Sequence, residues 1–583
     1  MRDRRENHRR HFELGRGVST EFDFIIVGAG SAGCVLARQL SERAAAKVLL
    51  IECGPDDHSN RTLIDMPKGF GKLLTDPRYA WHFATRFLNA KGAAPEIWAR
   101  GKTLGGSSAV NGMVWTRGQP EDYDHLAALG NPGWAWADML PYLRKLEDHG
   151  LGASEWRGAG GPIAVNTHPH PSRLGDALLV AGEQIGLRIK PDQNQAEHEG
   201  IGYLQANIDR RGRRVSAARG FLDPVRGHRS NLTIVTDTQV ERVSFAGTRA
   251  VGVSCKRGGD SVAYRLAPGG EVILSAGAIQ SPKLLQLSGI GSAEHLRAHG
   301  IEVLHDSPGV GQNLREHFLI FLQFRLKHAA DSYNEEFGGF RLAKNVLKYL
   351  LFRSGPMAYA SSEAAAFVKV LPGARRPEAQ LMFSPYSLDL DDPAGMGFEK
   401  APGMQLYPYA LRPTSQGSVM IQSADPRVPP QIDPNYLATE YDRQVSIGMV
   451  HYVRKLMSQQ ALTPYVAGEA KWTREARSDD EILEAFKRHG QSGYHASGTC
   501  RMGKDGAAVV DERLRVRGVS GLRVMDCSVC PEIVAGNTNA PMMAMAWRAS
   551  DLILEDRRRQ SHAQRASVGI ERGESHGLQE AGA

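Results

Sequence analysis

Gly28, Gly30 and Gly33 stand in the spacing G-x-G-x-x-G within the run from Asp23 to Ala37, D-F-I-I-V-G-A-G-S-A-G-C-V-L-A. In that pattern one glycine makes the turn, one lets a pyrophosphate approach the backbone, and one lets a helix pack closely on a strand. Glu52 follows about twenty residues later at the end of an apolar run, where a carboxylate accepts hydrogen bonds from an adenosine ribose. Glu52 alone does not choose between NAD and FAD. A second group, Gly105, Gly106, Ser107 and Asn111, lies in R-G-K-T-L-G-G-S-S-A-V-N-G-M-V-W-T-R-G from Arg100 to Gly118. Adjacent glycines with small donors suit a backbone laid against a phosphate-bearing ligand, so this stretch reads as a second wall of a dinucleotide site.

These residues need elements to hold them. Phe24 to Val27 reads as a buried parallel strand that ends at Gly28, and the helix that follows turns its N-terminal N–H groups toward the phosphates. Lys47 to Ile51 is the next strand, and a loop-rich region runs from there to about Ile97. Helical spacing recurs in 131–149, where Pro141 kinks or starts the helix, and in Leu174 to Ile185. Leu232 to Val243 alternates as strands do, and Val272 to Leu274 is an apolar strand. Between Ala379 and Ile432, runs such as Q-L-M-F-S and S-V-M-I-Q alternate with Pro-rich turns, which predicts an antiparallel sheet.

The chain has 583 residues, 42% hydrophobic and 23% charged, with a net charge of +7. That is ordinary globular composition, neither disordered nor fibrous. The first sixteen residues carry six arginines against three acids and read as a solvated tail, with no nucleic-acid partner expected. No apolar signal region precedes Phe24 and no run reaches the length of a membrane span, which points to a cytoplasmic protein. Six cysteines without a framework agree with a reducing compartment. Cys527 and Cys530 form C-x-x-C, but no second pair lies nearby, so they read as ordinary cysteines and no metal site is expected.

The stretch from Arg100 to Gly118, continuing through Glu121 to Asp124, resembles the first signature of the glucose-methanol-choline (GMC) oxidoreductases. G-A-I-Q-S-P-K-L-L-Q-L-S-G-I-G, from Gly277 to Gly291, resembles the second. The resemblance implies an α/β FAD-binding, Rossmann-like domain interleaved with an α+β substrate domain built on an antiparallel sheet. It also implies a histidine base at His495 in Y-H-A-S-G-T-C-R-M-G, paired with Asn539 in G-N-T-N-A-P. By the same resemblance Val240 holds the adenine through its backbone, and Asp526 and Asn539 contact FAD. Ala496 stands where many relatives have proline, and Arg100 aligns with the histidine that binds FAD covalently in some oxidases, so non-covalent FAD is expected.

The expected division is 21–155, 210–325 and 485–556 for FAD and 156–209 and 326–484 for the substrate, with disordered tails at 1–20 and 557–583. The reaction implied is oxidation of a primary alcohol to an aldehyde: hydride passes to flavin N5, and His495 takes the hydroxyl proton because imidazole titrates near working pH. Electrons then pass to a quinone or another carrier. An oxidase that reduces oxygen to peroxide and a non-redox member such as a hydroxynitrile lyase or fatty-acid photodecarboxylase are the alternatives. Choline would need aromatic faces and a carboxylate; Tyr386, Tyr407 and Tyr409 are candidates for the faces. The basic amphipathic stretch from Arg341 to Arg353 reads as a helix roofing the substrate domain with its lysines in solvent, or as a peripheral contact with a membrane carrying quinone. Composition and spacing leave the oligomeric state open.

Overall fold

The computed structural model describes residues 21–88, 95–390 and 397–577, so the basic tail at 1–20 lies outside the described residues. Strand β1 (Glu21–Val27) runs parallel between β2 (Val48–Ile51) and β4 (Asp260–Leu274), with Ile26 opposite both Leu50 and Ile273. Parallel strands β3 (Leu232–Val235) and β5 (Leu522–Val524) extend the sheet on β2 and β4. Strands Thr238–Ala246 and Arg249–Arg257 complete seven, antiparallel to each other and to the first half of β4. The central strands are continuous apolar runs because helices cover both faces. Helix α1 (Ser31–Leu40) buries Ala32, Val35 and Leu36 in the same core as Met543, Met545 and Ala549 of the C-terminal helix.

A second, eight-stranded sheet is antiparallel throughout. Its main path orders Val466–Glu469, Leu322–Leu326, Gly403–Ala410, Ala379–Ser384, Ala364–Val368 and Gly200–Tyr203, and Phe318–Leu319 and Gln491–Ser492 join beside it. Alternate residues leave on opposite faces. Leu322, Leu381 and Leu406 pack on Val445, Val450 and Val453 of helix Glu440–Met457, while Phe321, Met382 and Tyr407 form a separate cluster on the cavity side. The two sheets are thus assembled from alternating stretches of chain.

Three local expectations change. Ser418–Met420 and Gln431–Asp433 leave the large sheet and join Ala80–Leu88 and Pro95–Gly101 in a four-stranded one, so 53–97 is not simply loop. Its signal was the alternation of Trp81 and Phe83, which stack at 5.9 Å between ring centroids. The break in 232–243 falls at Asp237, whose φ of 51° separates two strands. Helix Trp136–Leu146 carries Pro141 inside it and does not begin there.

Helix α2 (Gly277–Leu287) follows β4, and α3 (Gly339–Phe352) packs Tyr349 beside Met66 and Met357. The last helix, α4, runs Asn539–Gly577, which corrects the reading of 557–577 as a disordered tail. Arginine, glutamine and alanine are good helix formers, and this stretch has no proline to stop the helix that the packed turns before it nucleate. No helix among the described residues is long and apolar enough to cross a membrane.

Arg523 locks β5, β4 and α4 together. Its Nε lies 2.6 Å from Glu271, its Nη2 3.0 Å from Asp556, and its Nη1 donates to the Arg513 carbonyl at 2.7 Å, all with the guanidinium buried. Arg523→Leu strands two carboxylates and should destabilise the protein by about 3–5 kcal/mol, measured by chemical denaturation of the flavin-loaded protein.

Candidate active site

The strand–turn–helix at β1–α1 opens a cavity of about 480 Å³ that continues to the antiparallel sheet. Gly28 has φ +97°, and a Cβ there would sit 2.6 Å from the Ser275 carbonyl oxygen; one on Gly33 would sit 1.9 Å from the Gly28 oxygen. Gly30, the N-cap of α1, differs: a Cβ there would meet nothing within 4 Å. The first two glycines therefore serve close packing, and the third leaves room in front of a helix N-terminus, where anions bind. Gly106 lies against this turn, its Cβ position 2.6 Å from Gly30 Cα, and Gly105 N–H donates to the Ala29 carbonyl at 2.8 Å. Of the glycine pair expected as a second wall, Gly106 borders the cavity and Gly105 lies behind it.

Glu52 accepts from Ala29 N–H at 2.9 Å and Gly54 N–H at 3.0 Å. Burial raises its carboxyl to about 7 against these bonds. Asp526, just past β5, accepts from Gly277 N–H at 2.9 Å, the Ser281 hydroxyl at 2.5 Å and Ser528 N–H at 2.8 Å, which ties it to the start of α2; burial raises it too. Asn111 Oδ1 accepts from buried Arg214 at 2.7 Å. Gly28, Gly30, Glu52, Gly106, Ser107, Asn111, Val240, Asp526, His495 and Asn539 all border the one cavity. Gly33 and Gly105 do not.

At the far end of the cavity a chain of hydrogen bonds can be read for direction. His317 Nε2 lies 2.9 Å from the Leu411 carbonyl, which only accepts, so Nε2 carries a proton. Burial lowers the His317 pKa to about 3, so the ring is neutral and its Nδ1 is bare. His495 Nδ1, 2.9 Å away, must then be the donor. Burial, and next the adjacent His317 and Arg100, hold His495 well below the ordinary imidazole value, so it is neutral and its Nε2 is bare. Asn537 Nδ2 donates to that nitrogen at 3.1 Å.

The backbone at this histidine is braced. Tyr494 has φ 63°, a left-handed conformation that is costly for an aromatic residue. Arg100 donates to the Tyr494 carbonyl and lies 3.4 Å from Glu316. Glu316 in turn accepts from His495 N–H at 2.7 Å and His317 N–H at 2.9 Å. Burial raises Glu316 to about 7.

The structure does not pair His495 with Asn539. Asn539 begins α4 and accepts from the Ser31 hydroxyl at 2.7 Å, across the helix N-termini of the phosphate end. Asn537, two residues earlier, is the one at His495. In N-T-N the two asparagines differ only in which wall they face, and tertiary packing decides that. His317, in the run G-V-G-Q-N-L-R-E-H-F, is not among the residues that the sequence singles out; its signal was a lone histidine beside a glutamate. Cys530 is buried with its sulfur 3.8 Å from Met545 sulfur, and Cys527 is half-buried. Asp57, His58 and Asp223 cluster elsewhere, and Arg61 and Arg226 already neutralise the two carboxylates.

Family models for GMC oxidoreductases match residues 22–319 and 413–546. The chain belongs to the GMC oxidoreductase family and is an FAD-dependent alcohol dehydrogenase. It is 38% identical to an oxygen-dependent choline dehydrogenase from Brucella anthropi, over 92% of this chain and 96% of that one. It is 40% identical to the mitochondrial choline dehydrogenase of Homo sapiens, over 91% and 90% respectively. Pyridoxine 4-oxidase from Mesorbium loti superposes with a TM-score of 0.80 at 30% identity, covering 91% of this chain and 99% of that one. A formate oxidase gives 0.84 at 27%, covering 93% and 99%.

The cavity fits FAD. Ser275 Oγ, Asn537 Oδ1 and Asn539 Nδ2 are buried on its lining with no partner among the described residues, and such atoms await a ligand. Gly30→Val fills only the open cradle, so it should fold with near-native stability and purify without flavin absorbance. Gly33→Val should fail to fold, since its side chain meets backbone. A yellow Gly30→Val protein would remove the cradle from the site.

Proposed function

We propose that this chain oxidises an uncharged primary alcohol to the aldehyde, with His495 Nε2 as the proton acceptor. The observation that carries the reading is the bare Nε2 and the Asn537 amide donor 3.1 Å apart. An alcohol oxygen both donates and accepts, so it can enter between this pair: its O–H takes the place of the Asn537 N–H on the single lone pair of Nε2, and its own lone pair accepts from the displaced Asn537 amide. FAD, when bound, supplies at N5 the acceptor for the hydride of the same C–OH unit. As the proton reaches Nε2, Asn537 stabilises the developing alkoxide. His495 Nδ1–H keeps its bond to His317 and so cannot move to the wrong nitrogen. The starting turn of α4 adds its N–H groups at the phosphate end beside Asn539.

The parts 21–155, 210–325 and 485–556 would hold FAD, and 156–209 and 326–484 the substrate. FAD would be bound without a covalent link, because Arg100 is engaged by Tyr494 and Glu316 and is no nucleophile. Electrons would leave to a quinone or another carrier, with oxygen as the alternative acceptor.

The substrate class follows from the lining. Among the described residues the only carboxylates on it are Glu52 and Asp526, both held by backbone N–H groups at the FAD end. Leu319, Phe321, Met382, Leu388, Tyr386 and Tyr407 line the other end. Tyr409, a candidate face for a cation, stacks on His317 at 4.5 Å and is not on the lining. A quaternary ammonium would be desolvated there without a counter-charge among the described residues, which is costly.

Anaerobic flavin bleaching tests the reading. Uncharged primary alcohols of choline's size should give kcat/KM higher than choline by on the order of tenfold or more; a preference for choline would contradict the substrate assignment. His495→Ala should slow bleaching by on the order of 10²- to 10⁴-fold with flavin content unchanged. His317→Phe should lower kcat by on the order of a hundredfold with little change in KM, since His495 loses the acceptor that fixes its tautomer. Because His495 is held below the ordinary 6.5, it stays a base as pH falls through that value. The wild-type kcat/KM should therefore be flat across pH 6.5 and fall only at more acid pH.

A further inference from the structure

Helix α3 (Gly339–Phe352) presents three strips to three environments. Its inner strip, Leu342, Asn345, Val346 and Tyr349, packs on Met66, Phe337 and Met357, and Tyr349 donates to the Asp65 carbonyl at 3.0 Å. The opposite side is apolar and exposed: Phe340 is 85% accessible, Leu347 56% and Leu351 65%, and Leu350 at 44% and Phe352 at 71% are exposed to either side of it. Phe340, Leu347 and Leu351 fall at i, i+7 and i+11, one line along the helix, with Leu350 beside it. Lys344 and Lys348, at i and i+4, form the flank between the two.

The basic strip does not end with the helix. Arg353 stacks its guanidinium over the Tyr349 ring at 4.9 Å, and its carbonyl abuts the turn at Gly212, where a Cβ would come within 2.4 Å of that oxygen. Arg210 and Arg211 of that turn are exposed. Of the acids near the helix, Glu335 and Glu336 at its other end pair with Arg341 at 2.9 and 3.3 Å, and Asp209, in the Arg210 turn, is paired with Arg213 at 2.8 Å.

We propose that α3 docks this enzyme on an anionic lipid surface, its Phe340–Leu347–Leu351 line in the acyl boundary and Lys344, Lys348, Arg210 and Arg211 against the headgroups. An exposed apolar stripe flanked by lysines is what an interfacial helix needs, and single exposed leucines would not carry the argument. The charge selects the partner. A second copy of this chain would bring the same basic strip against itself or leave it unmatched, whereas an anionic bilayer matches both strips at once. The docked face is also close to the chemistry: Phe337 of the α3 seat touches the ring of Tyr386, a cavity residue, at 5.7 Å between centroids.

Flotation of the flavin-loaded protein with vesicles tests this, using phosphatidylcholine alone and phosphatidylcholine mixed with phosphatidylglycerol. The wild type should float with the mixed vesicles and weakly with the neutral ones. Lys344→Gln with Lys348→Gln should reduce binding to the mixed vesicles by on the order of tenfold or more, and Leu347→Asp with Leu351→Asp should abolish it on both. All these side chains are exposed, so bleaching by a soluble alcohol should be unchanged in every variant, which separates failure of docking from failure of folding or of the catalytic reading. Wild-type protein that stays unbound with both vesicles overturns the proposal, as do variants that float like wild type. A wild-type dimer that the aspartates dissociate, with no vesicle binding, overturns it in favour of a second copy.

Discussion

One carbonyl group sets the chemistry. The Leu411 oxygen can only accept, and from it the proton positions of two buried imidazoles and one amide follow in order, ending at a lone pair on His495 Nε2. The chain works because both rings are neutral. Burial disfavours the charged imidazole, so the cost of desolvation is converted into a fixed tautomer. A solvent-exposed histidine would exchange its proton between nitrogens and offer no defined base.

The rest of the fold holds that chain in place. His317 directly precedes the short strand Phe318–Leu319, and Leu411 directly follows Gly403–Ala410, so one antiparallel sheet fixes both ends of the anchor. His495 comes after Gln491–Ser492 of the same sheet, on a strained turn that Arg100 and Glu316 hold from two sides. Asn537 belongs to the other half, in the loop that leads into α4, where its N–H donates to the Thr116 hydroxyl at 2.7 Å. His495 and Asn537 therefore meet only when the two sheets do. The same junction forms the cavity, with one end built from glycines and the other from apolar side chains.

The local part of this was legible in the sequence. Contiguous apolar strands, a glycine turn and a helix are specified by near neighbours, so β1, α1, β2 and the cradle at Gly30 could be placed from spacing, and Glu52 and Asp526 fell on the cavity. The eight-stranded sheet was seen as antiparallel only in outline: it is covered on both faces, so Ala379–Ser384 and Gly403–Ala410 lack the alternation that marks a half-exposed strand. The partner of His495 was misplaced by two residues, because Asn537 and Asn539 are alike in type and differ only in the long-range wall each faces. His317 escaped for a similar reason: nothing local distinguishes a histidine that will be buried against another histidine 178 positions away. The helix beyond Arg557 was missed because polar residues with good helix propensity carry no periodicity of their own.

The central claim is that His495 enters the reaction neutral, protonated on Nδ1 and bare on Nε2. A neutron crystal structure of the perdeuterated, FAD-loaded enzyme near neutral pH reads this directly. The account predicts deuterium on His317 Nε2 and on His495 Nδ1, with no density for deuterium on His495 Nε2 or His317 Nδ1. Deuterium on His495 Nε2 would leave the alcohol no base at that position and contradict the account.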